Sequence, residues 1–231
     1  MTTAQWNGTF GDVVVGAVSR WLRPGRSVAA WVPVCAGLSP ALLTIAWLIA
    51  DALQPSSYSP VRQTVSVLAG HAGTDRWIVT GALYVIGVCH VATAAGLRAL
   101  NLRARVGLVV AGLAGIGIAA SPQPVSGSKA EHLLFTGIGA VAITVWPALA
   151  AQRRAPASVL VSTRVSAAVS LAFLILLAWT VVETQGGASL GLAERVSSAI
   201  QTGWPFAVAV TLRRTTRTDP DHGGETRAKW G

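Results

Sequence analysis

VSAAVSLAFLILLAWTVVE, Val165–Glu183, runs eighteen residues without a charged side chain before its closing glutamate. At ~1.5 Å per residue that run covers about 27 Å as a helix, close to the ~30 Å hydrocarbon core of a bilayer. A helix on the surface of a soluble domain needs a charged or polar face toward water, and this run supplies none. Five more stretches read the same way: 28–53, 77–97, 106–120, 132–151 and 199–212, each with an interior free of Lys, Arg, Asp and Glu. The third and sixth are shorter, so their ends must extend into polar flanks or the helices stand nearly upright.

The whole chain agrees. Of 231 residues 52% are apolar and only 12% charged, and mean hydropathy is +0.55. Soluble domains carry about 25% charged residues, so a cytosolic enzyme and a disordered chain are both excluded. Two cysteines allow at most one bridge and cannot organise a disulfide scaffold. The expected fold is therefore an all-α integral membrane protein, a transmembrane bundle of six helices.

Its net charge of +9 would suit nucleic acid if the basic residues formed one face. Instead they alternate with the connections. Arg20, Arg23, Arg26, Arg98, Arg103, Arg105, Arg153, Arg154, Arg164, Arg213, Arg214, Arg217, Arg227 and Lys229 fall on one side of the predicted spans. Only Arg62, Arg76, Lys129 and Arg195 fall on the other. The positive-inside rule makes the richer side cytoplasmic, with both termini there, and predicts a multi-pass protein of the cell (cytoplasmic) membrane. The basic loops then lie beside anionic headgroups, so the expected partners are membrane lipids, with an amphiphilic small molecule a further one, and no nucleic acid.

Residues 1–27 read as a cytoplasmic segment. Within it Phe10, Val13, Val14, Ala17, Val18, Trp21 and Leu22 recur at helical spacing, as in an amphipathic helix lying in the interface and ended by Pro24-Gly25. Residues 28–214 form the six-span domain. Residues 215–231, polar and rich in Thr, Gly and charge, read as a disordered cytoplasmic tail.

Lipid-immersed helices gain little from hydrophobic association and pack instead through small residues that let backbones approach. Ala111, Gly115 and Ala119, with Gly107, Gly112 and Gly117 nearby, place the third span at the centre of the bundle. Pro40 and Pro205 each remove a backbone donor inside a span. Trp47, Trp77 and Trp179 fall near one predicted membrane boundary, and Trp31 and Trp146 near the other, as an aromatic belt.

Chemistry-bearing residues gather on the predicted outer side. Asp51 closes the first span, Glu183 closes the fifth and His132 opens the fourth. Between the first two spans lie Ser59, Ser66, His71 and Arg76, and Glu194-Arg195 precede the last. A polar rim over an apolar bundle fits a pocket for a lipid or other amphiphile, or a docking surface for a partner. Ser59, Ser66, His71, Arg76, Glu194 and Arg195 are its binding candidates. In the alternative, an intramembrane enzyme acting on a lipid or prenylated substrate, Asp51, Glu183 and His132 would supply the acid and base. Among Asp51, His71, His132 and Glu183 no two have the helical spacing of a metal-ligand pair, and neither a metal nor a cofactor is expected. His90, within the second span beside Cys89, is ionisable at membrane depth and so a further suspect.

Several short motifs resemble a known family. Tyr58-Ser59-Pro60, then Thr64-Val65-Ser66-Val67-Leu68-Ala69, then Trp77 and Gly81, look like the first outer loop of the domain-of-unknown-function nine-nine-eight family. Pro122 and Pro124 leading to His132, and Gly191-Leu192-Ala193-Glu194-Arg195, are similar to it as well. The likeness extends over 28–214 and implies a six-span prokaryotic membrane protein with no established activity. By position it carries over Ser59, Pro60, Ser66, His132, Glu194 and Arg195.

Overall fold

The computed structural model describes residues 27–153 and 156–217, together with Asp12, Val15, Gly16 and Gly25. Most of the expected amphipathic helix before the first span, and the tail after Arg217, lie outside the described residues. Among those described there are seven helices and no strand. Six are long: α1 Val32–Ala52, α3 Trp77–Gly96, α4 Leu102–Ala120, α5 Ala130–Ala150, α6 Thr163–Glu183 and α7 Leu190–Arg217. A short helix, α2 Val65–Ala69, sits in the first connection, and a 3-10 turn, Val159–Val161, precedes α6.

The local reasons are ordinary. Pro33 enters α1 in its first turn, where no backbone donor is missed. Asn101 caps α4 by accepting from Ala104 N–H at 3.0 Å, and Thr64 caps α2 through Val67 N–H. α1, α3, α4, α5 and α6 are each long and apolar enough to cross a membrane. α7 is longer, at 28 residues, but more polar. It begins well before the apolar run at 199–212 and carries Thr215–Arg217, read from sequence as tail, as its last helical residues.

Each long helix packs on its sequence neighbours, and α7 closes back on α1, so the six form a ring. α4 is the most buried of the five apolar helices. It crosses α3 where Gly87 faces Gly112. A Cβ on either would stand 2.6 Å from the carbonyl oxygen of the other, so neither position admits a side chain. Two apolar clusters fill the ends of the ring. One joins Val32, Leu97, Leu108, Trp146, Val208 and Leu212. The other joins Leu43, Trp47, Val65, Leu68, Val79 and Ile86, and so includes α2.

The tryptophans divide. Trp77 and Trp31 are exposed, as a belt requires, but Trp47 and Trp146 are buried. Trp146 is an internal anchor: its indole N–H donates to the carbonyl of Ala104 at 2.9 Å, tying α5 to the start of α4. A buried indole needs such a partner, and helix-end position alone does not distinguish this role from a belt.

Candidate functional site

Between the two clusters the ring encloses a cavity of about 220 Å³, walled by all six long helices and α2. Apolar side chains such as Leu43, Leu83, Ile86 and Ile143 make up most of its wall. The polar groups come mainly from one stripe on α7: Glu194, Ser197, Ser198, Gln201 and Thr202. Ser66 of α2 lies at the same end as Glu194, and His90 of α3 deeper. The His90 Nδ1 lies 2.9 Å from its own helix's Ile86 carbonyl. A carbonyl only accepts, so Nδ1 carries a proton and Nε2 is the ring nitrogen left for the cavity.

Two polar networks close the α2 end. In the first, α7 sends Arg195 outward as a hub. Its Nη2 donates to Asp51 Oδ1 at 2.8 Å and to the Tyr58 hydroxyl at 2.6 Å. Its Nη1 donates to the carbonyls of Pro60 and Gln63, both at 2.8 Å, and of Gly191 at 3.1 Å. Tyr58 closes the triangle by donating to Asp51 Oδ1 at 2.9 Å. A planar guanidinium with five N–H donors suits this divergent set, where a lysine ammonium would reach only part of it. Gly191 makes the approach possible, because a Cβ there would collide with the Pro60 and Gln63 carbonyl oxygens.

The second network runs along the cavity's upper wall. Glu194 accepts from the backbone N–H of Val65 at 2.8 Å and contacts the Ser66 hydroxyl. Ser66 Oγ lies 3.1 Å from His132 Nε2, and His132 Nδ1 lies 2.8 Å from the Ser121 carbonyl. A carbonyl only accepts, so the His132 Nδ1 donates to Ser121. His132 is 1% exposed, so this chain of bonds stitches α2 to α5 and α7 from inside.

Burial raises the Tyr58 phenol to about 12, helped by its hydrogen bond to Asp51 and opposed by Arg195. The folded state thus holds this proton more tightly than the unfolded chain, whose tyrosine titrates near 10. The resulting stabilisation is complete below pH 10 and fades as pH climbs through 12. Phenolate absorbance of the wild type, with Tyr58→Phe subtracted as blank, should therefore rise near pH 12 in the folded protein and near 10 in denaturant.

A family model described as a protein of unknown function (DUF998) matches residues 38–211. The chain is a DUF998 protein. No curated protein matches it, and no solved structure does. The matched stretch of this DUF998 protein contains every member of both networks. With five helices fit to span a bilayer, it is a multi-pass membrane protein.

The residues singled out from sequence fall into three places. Asp51 and Arg195 meet in the first network, and Ser66, His132 and Glu194 in the second. Glu183 stands apart, accepting from Ser189 N–H at 2.8 Å in the connection to α7. Ser59 takes part through its backbone N–H, which donates to Gln63 Oε1 at 2.8 Å. His71 has an exposed side chain and is held by its backbone to Gln123, while Arg76 precedes α3 and makes no side-chain bond to its first turn. Sequence reasoning left Tyr58 out of the site, and with it the cavity-facing residues of α7 other than Glu194, namely Ser197, Ser198, Gln201 and Thr202. The latter had a signal: positions 194, 197, 198, 201 and 202 repeat every three to four residues, a polar stripe on one helix face.

Proposed function

We propose that this DUF998 protein is a six-span protein of the cytoplasmic membrane, with both termini inside, that holds a single amphiphile in the cavity of its helix ring. The cavity itself carries the reading. It is a small, largely apolar space at membrane depth, with a carboxylate, hydroxyls and an imidazole placed to orient a polar head. α7, about 42 Å long, is the sixth span, and the fourteen-to-four division of basic residues supports the orientation. The acidic and hydroxyl-bearing end then faces outward.

Binding is favoured over acid–base catalysis by Asp51, Glu183 and His132. Each of the three is engaged with a different partner, Asp51 with Arg195 and Tyr58, Glu183 with Ser189, and His132 with Ser66 and Ser121. None of them lines the cavity.

Native mass spectrometry of the purified protein tests the reading. The wild type should retain one amphiphile, and Ala140→Leu, which adds bulk to the cavity wall, should lose it while keeping the wild-type thermal midpoint. A wild type that carries no amphiphile, or an Ala140→Leu protein that carries as much, would overturn it.

A further inference from the structure

At the opposite end of the bundle α6 leans on α5 and α7 and makes at most slight contact with α4. The gap is a second cavity, of about 660 Å³, formed by the start of α4, the end of α5 and the start of α6. We propose that it binds the phosphate of an anionic phospholipid. The proposal stands apart from the amphiphile cavity and does not depend on it.

Three observations converge here. Arg103 and Arg153 both line the space, one from α4 and one from the segment after α5, and bring two guanidinium groups to it. The first turn of α6 also opens into it at Thr163, and Ser162, in the capping position, makes no side-chain bond to that turn. The leading N–H groups of this 21-residue helix thus have no side-chain cap from Ser162, and the positive end of the helix dipole lies beside the space. Finally, Ser166 lines the same space, is 1% exposed, and its hydroxyl has no hydrogen-bond partner. A buried hydroxyl without a partner is costly unless a ligand supplies one.

Phosphate meets all three demands. Its oxygens accept from guanidinium, backbone N–H and hydroxyl alike, and its charge answers the two arginines. The walls argue for a lipid over a free ion. Leu102, Ala148, Leu149, Ala151 and Ala167 make the rest of the lining apolar, apart from Asn101, whose side chain is engaged with Ala104 N–H and the Leu149 carbonyl. From Ala167 the outer face of α6 continues through Leu171, Leu174 and Ile175, all exposed. A headgroup seated between α4 and α6 can thus lay its acyl chains along α6. A basic pocket between membrane helices is the expected place for such a lipid.

The full chain in detergent, titrated with phosphatidylglycerol and followed by native mass spectrometry, tests this. Arg103→Gln/Arg153→Gln should bind phosphatidylglycerol about tenfold more weakly or worse. Arg62→Gln/Lys129→Gln, at the other end, should bind as wild type does, and phosphatidylcholine of the same chains should bind weakly to every form. If the double variant fails to fold, Ser166→Val answers instead, because it removes the hydroxyl and narrows the space with both charges in place; it too should bind weakly. Wild-type binding by the double variant or by Ser166→Val, or equal binding of phosphatidylcholine, would overturn the site. Displacement of phosphatidylglycerol by millimolar inorganic phosphate would overturn the lipid as its occupant.

Discussion

Replacing Arg195 with methionine should cost the protein about 3 kcal/mol, with its first effect on the connection between α1 and α2. The arginine and Asp51 side chains are 9% and 18% exposed. The variant therefore leaves a carboxylate at a poorly solvated site with the Tyr58 hydroxyl as its remaining side-chain donor, and deprives the carbonyls of Pro60 and Gln63 of theirs. Breaking a fully buried pair costs 3–5 kcal/mol, and the residual exposure of Asp51 puts this one at the low end. Asp51→Asn should cost less, about 1–2 kcal/mol, because an amide oxygen can still accept from Arg195 and Tyr58. Thermal unfolding in detergent ranks the two variants. Limited proteolysis should cut residues 53–64 in Arg195→Met while the helices stay intact. If that connection keeps wild-type resistance in Arg195→Met, the guanidinium is not what holds it.

A second large effect is expected at the crossing of α3 and α4. Gly87→Val and Gly112→Val each drive a branched side chain into a facing backbone carbonyl, which cannot rotate away as a side chain would. The helices must separate along their length, at about 3 kcal/mol or more. Gly81→Ala and Gly137→Ala serve as controls, since nothing lies within 4 Å of an added Cβ at either position. Both controls should unfold at or slightly above the wild-type midpoint, because alanine is the better helix former. A wild-type midpoint for Gly112→Val would mean that the two backbones do not approach as closely as described.

The helices themselves were plain in the sequence, because in lipid a span announces itself by the length of an uncharged run. That α4 packs closely was legible too, from its glycines and alanines, and it is the most buried of the five apolar helices; it takes one place in the ring between α3 and α5, however, and not the centre expected from sequence. Which of those small residues makes the contact was not legible: Gly112 meets Gly87 of α3, and nothing in the sequence of one helix names its partner on the next. α7 was misjudged at its start, since Leu190–Ser198 mixes apolar, charged and hydroxyl residues and has no uncharged run to betray a helix.

The site was legible in part. Polar residues at helix ends are expected whether or not they act together. Asp51 and Arg195 are 144 residues apart, and nothing local says that they meet. Glu194 and Arg195, read as a pair, serve opposite sides of α7, because adjacent helical residues project about 100° apart. One contributes to the cavity wall and the other grips the loop above it.

Closure of the ring by α7 against α1 also sets an order on biogenesis. Five helices can be delivered to the bilayer in succession, each beside its predecessor, and the assembly remains a curtain with a free edge. Only when the final helix arrives do the earliest and latest parts of the nascent chain meet. The glutamate, serines and glutamine of the interior come with that last helix and are sheltered only once it docks, and the seam between first and last helices is where a half-made molecule stays open to the surrounding lipid.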